Sequence, residues 1–378
     1  MVGTRPNYMK IAPIYRALQR QGVSNLTIIH TGQHRDFEMR DVFFEQLGLP
    51  APHFNLPALP ADLPTERAIP AMLGGLRQIF DREKPALVVV VGDVHSSLAG
   101  ALAAKMSGVP LAHVEAGLRC GDTTMPEELN RVVIDTLSDW RFVSEPSGME
   151  KLQRENLADV RTFFVGNVMI DSLMAAQKMW QRTDFLQVLD LQKQDYLVAT
   201  FHRPANVDSR ESLLKIKNLL SEAGEKRKVV FPVHPRTRRA MQKFGLETAF
   251  DNLKNLRLLP PLGYFEFVQL MANAAAVLTD SGGVQEETTF LGVPCLTFRP
   301  TTERPATVEF GTNHLVLDFD SAKTIEILGK PTAPNREKLP LWDGHAAERI
   351  VDILLKDSEL RFLKPRITES SNHRIIIQ

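Results

Sequence analysis

Short apolar runs alternate with longer amphipathic stretches along most of the chain. The runs have the length of buried strands, and the stretches between them place apolar residues at helical spacing. Parallel sheets covered by helices on both faces give this rhythm, because each connection between parallel strands needs a crossover, usually a helix. The sequence therefore predicts an α/β fold with strands at 26–30, 86–92, 111–115, 140–143, 196–200, 228–233, 256–258, 275–279 and 295–298.

The predicted strands fall into two sets, separated by a polar, helix-prone stretch at 171–194. A chain of 378 residues is also too long for one small core, which favours two domains. We expect two Rossmann-type, doubly wound domains, with the ligand in an interdomain cleft at the carboxyl ends of the strands. The expected limits are 1–170 for the first domain, 171–355 for the second, whose last helix can pack back on the first, and 356–378 for a mobile tail. A Pro-rich loop is expected at 57–70.

Composition narrows the classes of partner and cofactor. Lys plus Arg and Asp plus Glu each number 45, so no overall field attracts nucleic acid or an anionic membrane. The two cysteines, Cys120 and Cys295, cannot build a disulfide framework or a Cys-rich metal site. A signal peptide, an apolar run near 18 residues and the HExxH, CxxC and GxSxG patterns are all missing from the sequence. We therefore expect a cytoplasmic protein that binds neither nucleic acid nor membrane and requires no metal or cofactor.

The stretch around Ser281 has the pattern of an anion site. An apolar run ends just before Ser281-Gly282-Gly283, and a helix-like pattern follows. Glycines allow backbone N–H groups to approach a ligand closely, and a helix N-terminus favours an anion such as phosphate. Glu287, about one turn into the helix, is placed to accept hydrogen bonds from a ribose diol, as the acidic residue of dinucleotide folds does. The pattern predicts a nucleotide site, with an ordinary strand-to-helix turn as the alternative.

Basic residues stand at other strand ends and helix starts. In the opening segment Thr4 is the expected N-cap of a helix, with Arg5 and Lys10 close to its start. Cations at a helix N-terminus are electrostatically misplaced unless an anion joins them, so a ligand phosphate is expected there, with a solvated surface as the alternative. A histidine with an arginine close behind it follows two later strands, at His202 and His234. Such histidines are more often structural, but the pair favours a phosphate-binding cleft.

Carboxylates follow two neighbouring strands of the first domain, at Asp93 and Glu115. This arrangement suits acid and base chemistry if the cleft is partly desolvated, and the alternative is a structural cap or an ion pair with Arg119. Glu127 and Arg131 begin the next helix and share a face at i,i+4 spacing. A surface ion pair is the alternative for these two residues.

These segments belong to a longer series of motifs in a fixed order along the chain. The series is Gly3-Thr4-Arg5-Pro6, Thr31-Gly32-Gln33-His34, Gly92-Asp93, His113-Val114-Glu115-Ala116-Gly117-Leu118-Arg119, Pro126-Glu127-Glu128-Leu129-Asn130-Arg131, Gly166-Asn167, His202-Arg203, Asp280-Ser281-Gly282-Gly283-Val284-Gln285-Glu286-Glu287 and Thr302-Glu303-Arg304-Pro305. Together these motifs resemble the UDP-N-acetylglucosamine 2-epimerase family, from Gly3 to about Leu355.

The resemblance implies a GT-B-like pair of Rossmann domains closing over a UDP-sugar, a homodimer without cofactor or metal, and reversible inversion at C2 between UDP-N-acetylglucosamine (UDP-GlcNAc) and UDP-N-acetylmannosamine (UDP-ManNAc). It further implies elimination of UDP to give 2-acetamidoglucal, followed by return of UDP and a proton to the other face. The implied catalytic residues are Asp93, Glu115, Glu127, Arg131, Lys10 and His202. The implied UDP-binding residues are Arg5, His202, Ser281, Gly282, Gly283 and Glu287, with His234, Arg304, Gln33 and His34 as further candidates.

The chain departs from the family pattern at several positions. Only Met1 and Val2 precede Gly3, where the family has a full strand, so we expect either that the first strand of the first domain is missing or that the start is truncated. His95 stands where Thr or Asn is usual. Asp36 replaces a Gln found in bacterial members that a second UDP-GlcNAc activates, so that regulation is not expected here.

The motifs leave other functions open. A hydrolysing epimerase would release free N-acetylmannosamine (ManNAc) and UDP from the same elimination, and a related epimerase would use another sugar, such as UDP-2,3-diacetamido-glucuronate. A GT-B glycosyltransferase would present a similar nucleotide site, although the carboxylates at Asp93, Glu115 and Glu127 argue against it. A nucleotide-sugar sensor without catalysis is disfavoured because all of the charged residues are present.

Overall fold

The computed structural model describes residues 2–33, 37–60, 63, 65–328, 333–357, 360 and 375–377, apart from the side chains of 5, 37–41, 65, 66, 375 and 377. The strands are β1 (Leu26–His30), β2 (Phe54–Asn55), β3 (Leu87–Val91), β4 (Leu111–Ala116), β5 (Trp140–Val143), β6 (Thr162–Phe164), β7 (Tyr196–Thr200), β8 (Lys228–Pro232), β9 (Leu256–Leu259), β10 (Ala276–Thr279), β11 (Cys295–Thr297), β12 (Asn313–Leu315) and β13 (Ile375–Ile377).

The helices are α1 (Arg5–Arg20), α2 (Phe37–Gln46), α3 (Thr65–Glu83), α4 (His95–Met106), α5 (Pro126–Leu137), α6 (Pro146–Arg154), α7 (Val168–Ala175), α8 (Gln177–Trp180), α9 (Phe185–Val188), α10 (Pro204–Val207), α11 (Arg210–Lys226), α12 (Pro235–Lys243), α13 (Glu247–Asp251), α14 (Tyr264–Ala272), α15 (Gly282–Leu291), α16 (Pro305–Glu309), α17 (Ser321–Leu328) and α18 (Ala346–Lys356). A 3-10 turn covers Arg336–Lys338. Among the described residues, no helix is both long enough and apolar enough to cross a bilayer.

The chain folds as two compact α/β units, Met1–Ala175 with Pro340–Gln378 and Ala176–Leu339. In the first unit the strand order is β2-β1-β13-β3-β4-β5-β6, and each neighbouring pair is parallel. In the second unit the order is β12-β11-β10-β7-β8-β9, again with parallel pairs. Each unit therefore has the parallel architecture that the apolar runs predict, which brings the carboxyl ends of its strands to one edge.

The limits of the units differ from the expected ones. Helix α18 lies in the first unit, which agrees with the expectation that the last helix packs back on the first domain, although the expected second domain extends to 355. The start of α18 gives the physical reason. The carboxylate of Asp171, on α7, accepts hydrogen bonds from the N–H groups of Ala346 at 3.2 Å and Ala347 at 2.7 Å. This contact caps α18 and binds it to α7, so the chain rejoins the first unit at Pro340.

Strand β13 fills the row between β1 and β3 in the first sheet. Ile376 pairs with Thr27 on one side and Val88 on the other, and its side chain is fully buried. Val2 continues the same row through a parallel bridge with His30. The expected mobile tail thus contributes a central strand of the first sheet, between β1 and β3. A run of β-branched residues suits a strand covered on both faces.

Helix α3 begins within the segment 57–70, where the sequence predicts a loop, and it contains Pro70. Met72 and Leu76, one turn apart, are fully buried in the core of the first unit. A proline in a helix removes one backbone hydrogen bond, but it lies near the start of this helix, and the burial of one apolar face offsets that loss.

Candidate active site

Helix α1 positions Lys10 beside Glu115. Thr4 is the N-cap of α1, as expected, and its N–H donates to Asn7 Oδ1 at 3.2 Å. Asn7 Nδ2 donates to the carbonyl oxygen of Val91 at 3.0 Å, which fixes the helix start beside the end of β3. One turn further along α1, the Lys10 ammonium forms an ion pair with the Glu115 carboxylate. Lys10 and Glu115 are 5% and 4% exposed, so each charge depends on the other for compensation.

The backbone of Glu115 is strained. Its φ is 75°, in the left-handed region, and the pairing of β4 with β5 shifts register between Val114 and Ala116. Such a conformation costs about 1–3 kcal/mol in a residue with a side chain. Gly92, after β3, has a φ of 65°, and a Cβ there would lie 2.8 Å from Lys10 Nζ and 3.2 Å from Glu115 Oε2. Glycine suits this position, because a side chain there would strain the backbone and displace the Lys10 ammonium.

Arg131, on α5, joins two carboxylates of the first unit. Its guanidinium pairs with Asp93 through Nη2 and with Glu128 through Nη1, and its side chain is almost fully buried. Among the described residues, the surface ion pair between Glu127 and Arg131 that the i,i+4 spacing allowed is not formed, because Arg131 pairs with Asp93 and Glu128 instead. The half-buried Glu127 lies outside these two ion pairs, because the phase of α5 turns Glu128 inward instead.

Glu128 also binds the loop before α5. Its carboxylate accepts hydrogen bonds from the N–H of Cys120 at 3.1 Å and from the N–H of Gly121 at 2.8 Å. Burial alone raises the pKa of Glu128, but these backbone donors and the charge of Arg131 outweigh it and hold the pKa below its usual range. Glu128 is therefore an ionised anchor that fixes Arg131 beside Asp93.

A buried network supports the turn at Gly92. His113 Nδ1 lies 2.7 Å from Asp135 Oδ1, and His113 Nε2 lies 3.1 Å from the Gly92 carbonyl oxygen. The ring thus joins the Asp135 carboxylate to the carbonyl group of Gly92. Arg119 donates to Asp135 Oδ2 at 2.7 Å. Burial raises the pKa of Asp135, but the charges and hydrogen bonds of His113 and Arg119 lower it further, to below its usual range.

In the second unit, Asp280 at the end of β10 fixes His202. Asp280 is fully buried, and its Oδ1 lies 2.9 Å from His202 Nδ1. The same carboxylate accepts from the N–H of His202 at 3.1 Å, the N–H of Arg203 at 3.0 Å and Asn206 Nδ2 at 3.1 Å. Burial raises the pKa of Asp280, but the His202 charge and these hydrogen bonds outweigh it and lower the pKa. The contact holds the Nδ1 side of the His202 ring and leaves Nε2 for a ligand.

Helix α15 begins where the sequence predicts it, with Ser281 as the N-cap and no acidic residue in its first turn. The first N–H groups of a helix have no partner within the helix, so this end suits an anion. A Cβ on Gly282 would lie 2.6 Å from Glu303 Oε1 and 3.0 Å from Arg304 Nη1, so the turn also packs closely on the protein itself. Glu287 is buried farther along α15.

A buried charge network lies beneath Gly282. Glu303 pairs with Arg299 at 2.7 Å and with Arg304 at 2.5 Å, and Arg304 Nε lies 3.0 Å from Glu286 Oε1. All four side chains are buried. Arg304, a candidate UDP-binding residue from the sequence, thus supports the turn that carries Gly282.

Two other candidates cap helices. Gln33 Oε1 accepts from the N–H of Ser96 at 2.9 Å, near the start of α4. His234 is the N-cap of α12, and its Nδ1 accepts from the N–H of Arg236 at 3.2 Å. The His234 ring also lies close to the His202 ring, with 5.3 Å between centroids.

For the remaining candidate residues, Gly283, Arg5 and His34, the structure gives only the position in the chain or less. Gly283 is the second residue of α15, and Arg5 is the first residue of α1. The side chain of Arg5 and the whole of His34 lie outside the described residues.

Sequence reasoning assigned no individual role to several acidic residues, although Glu128, Asp280 and Glu286 lie within the quoted motifs. Their roles depend on which face of a helix or strand turns inward. Asp280 had a usable signal, because it directly follows an apolar strand. These residues are Glu128, Asp135, Asp280 and Glu286.

Comparisons with known proteins agree over nearly the whole chain. The family model for UDP-N-acetylglucosamine 2-epimerase matches residues 16–355. A UDP-N-acetylglucosamine 2-epimerase homolog of Methanococcus maripaludis is 41% identical over 94% of this chain and 98% of its own length. The UDP-2,3-diacetamido-2,3-dideoxy-D-glucuronate 2-epimerase of Pseudomonas aeruginosa is 36% identical, with 94% and 98% covered.

A solved structure is also similar to this chain over nearly its whole length. The crystal structure of Methanocaldococcus jannaschii UDP-GlcNAc 2-epimerase, in complex with UDP-GlcNAc and UDP, superimposes with a TM-score of 0.86 at 38% identity, covering 94% of this chain and 98% of that one. The predicted GT-B-like α/β class is confirmed by this match. The chain belongs to the UDP-N-acetylglucosamine 2-epimerase family.

Proposed function

We propose that the protein catalyses the reversible C2 epimerisation of UDP-GlcNAc to UDP-ManNAc. The observation that carries the proposal is the buried ion pair between Lys10 and Glu115, held on a strained backbone beside the turn that bears Asp93. Buried charge and backbone strain both reduce stability, and they persist mainly where function needs them. Family membership supports the choice of a UDP-sugar as substrate.

The proposed reaction removes the C2 proton together with UDP. The C2 proton of the sugar is not acidic, so its loss must accompany departure of a leaving group. A carboxylate accepts the proton, the C–H electron pair forms a C1=C2 double bond, and the C1–O bond breaks with its electrons on the β-phosphate oxygen. UDP and 2-acetamidoglucal result. Return of UDP to C1 and of a proton to the opposite face of C2 gives the epimer.

The first unit provides the groups for proton transfer. Asp93, Glu115 and Glu127 are the proposed acids and bases, since positioned carboxylates contribute strongly to such steps. Lys10 and Arg131 hold Glu115 and Asp93 in place through the ion pairs described above. Their positive charges also favour the negative charge that develops as the diphosphate leaves.

The second unit provides the groups for the nucleotide. The start of α15 is proposed to bind the diphosphate through backbone N–H groups, with the His202 ring as a further donor. Glu287 is proposed to accept hydrogen bonds from the ribose hydroxyls. The proposed diphosphate ligands of the second unit are His202, Ser281, Gly282 and Gly283, and Arg5 of the first unit stays a candidate from the sequence alone.

Product analysis tests the proposal. Purified protein is incubated with UDP-GlcNAc, and the nucleotides and free sugars are separated by chromatography. Formation of UDP-ManNAc, with UDP-GlcNAc recovered from UDP-ManNAc in the reverse direction, is the expected result. Free ManNAc and UDP would assign the hydrolysing reaction instead. Turnover of UDP-2,3-diacetamido-glucuronate alone would assign the activity of the Pseudomonas relative. The Glu115→Gln variant serves as the inactive control.

We also propose that the enzyme is a homodimer and acts in the cytoplasm. The family resemblance supports both features. Light scattering coupled to size-exclusion chromatography tests the first, where a mass of one 42.4 kDa chain would contradict it.

A further inference from the structure

His95 is the first residue of α4, and its hydrogen bond with Asn130 shows which of its ring nitrogens carries a proton. A side-chain nitrogen of Asn130 lies 2.7 Å from the Asp93 carbonyl oxygen and 3.0 Å from His95 Nδ1. The atom that faces a carbonyl oxygen at this distance must be the donor Nδ2, which fixes the orientation of the amide. Nδ2 carries two hydrogens, and the second one is directed at His95 Nδ1.

His95 Nδ1 is therefore an acceptor. A proton on Nδ1 would place two donors against each other, so the ring is neutral and carries its proton on Nε2. Burial agrees with a neutral ring, because it lowers the pKa of His95 by more than the Glu127 charge, the Asn130 hydrogen bond and the Asp93 charge together raise it. The ring thus has one fixed acceptor side and one N–H donor.

The surroundings of His95 provide acceptors for proton transfer. The charges of Asp93 and Glu127 act on the half-buried ring, and both carboxylates are proposed to take part in the chemistry at C2. Within the described part of the chain, the hydrogen bond to Asn130 is the one that His95 forms, and Nε2–H is available to a ligand.

We propose that His95 is a specificity-determining residue whose Nε2–H donates to the carbonyl oxygen of the acetamido group on C2 of the substrate. This inference rests on the proposed function. Carboxylates cannot bind an amide carbonyl, since both groups are acceptors, so a site that holds an acetamido sugar beside Asp93 and Glu127 needs a neutral donor. A cation would form ion pairs with the carboxylates, whereas a neutral imidazole N–H donates one hydrogen bond without an ion pair.

Two variants separate the donor from the shape of the ring. His95→Phe keeps a planar ring and removes Nε2–H, while His95→Gln retains an N–H donor at a similar distance from the backbone. UDP-glucose, which has a hydroxyl in place of the acetamido group, serves as a competitive inhibitor that lacks the carbonyl. The exposed His345, replaced in His345→Phe, is the control for loss of a histidine.

The experiment measures the KM for UDP-GlcNAc and the Ki values for UDP-glucose and UDP from initial rates. We expect His95→Phe to raise the KM about tenfold, the effect of losing one buried hydrogen bond, and to change both Ki values by less than about twofold. His95→Gln is expected to keep the KM within about threefold of the wild type. A KM that is unchanged in His95→Phe, or that rises in parallel with the Ki for UDP-glucose, would overturn the inference. An inactive wild type would instead refute the proposed function itself.

Discussion

Asp280 Oδ1 lies 2.9 Å from His202 Nδ1, and every other partner of the Asp280 carboxylate is also a donor. A carboxylate is the one side chain of this size that offers acceptors alone. The His202 ring, which is proposed to bind the diphosphate, is thus oriented by a fully buried anion that the surrounding donors keep ionised.

Replacing Asp280 by Asn tests this relationship. The amide would turn an N–H₂ group toward one of the donors, so we expect Asp280→Asn to lower the free energy of unfolding by about 1–3 kcal/mol. We also expect the affinity for UDP to fall, because His202 loses its orientation. Urea denaturation and UDP titration measure the two effects. Asp208→Asn, at a surface ion pair with Arg236, is the control, and an equal response of both variants would contradict the account.

Variants of the Lys10–Glu115 ion pair can distinguish its effect on stability from its effect on turnover. Lys10→Met and Glu115→Gln each leave one buried charge without its partner, so each is expected to cost about 3–5 kcal/mol of unfolding free energy. The double variant removes both charges and should regain most of that loss. All three variants should lower turnover by about 10²-fold or more. A double variant that regains activity together with stability would show that the pair is only structural.

Strand β13 is expected to stabilise the first unit. Ile376→Ala removes a fully buried side chain from the middle of the sheet and should cost about 2–5 kcal/mol in urea denaturation. Val160→Ala is the control, because Val160 is 90% exposed, and it should change stability by less than about 0.5 kcal/mol. If the two variants are equally stable, β13 does not hold the sheet together in solution.

The raised pKa of Asp171 leads us to expect that the stability of the protein depends on pH. Burial raises its pKa from 3.8 to about 6 in the folded protein, although the N–H groups of Ala346 and Ala347 oppose that shift. The native state therefore binds a proton that the unfolded state releases between pH 4 and 6, and this stabilisation is lost as the pH rises through 6. The loss amounts to about 3 kcal/mol. We expect Asp171→Asn to become more stable relative to the wild type from pH 4 to pH 7, and parallel curves would contradict the assignment.

Much of the fold could be predicted because long apolar runs carry a strong signal. Strands β1, β5 and β7 match their predicted ranges, and the others that were predicted differ by one residue at one end or at both ends. The strands that were not predicted, β2, β6, β12 and β13, have two or three residues each, too few to show a period. The row that β13 occupies depends on pairing with distant strands, which local patterns do not contain.

Candidate site residues could be predicted from the sequence where they stand near a strand end or at a helix start. Asp93, Glu115 and His202 stand at such positions, and so does Ser281. Pairing partners were harder to predict, because Glu127 and Glu128 differ only by 100° around α5, and the packing of the helix decides which of them faces Arg131.

Proton exchange at C2 is the most direct test of the proposed reaction. UDP-GlcNAc is incubated with the enzyme in D2O and followed by NMR until the two epimers reach equilibrium. We expect deuterium from the solvent to replace the C2 proton in intact UDP-GlcNAc and UDP-ManNAc, and we expect Glu115→Gln to slow this exchange together with epimerisation. Interconversion of the two nucleotide sugars with the original C2 proton retained would contradict proton removal and return at C2.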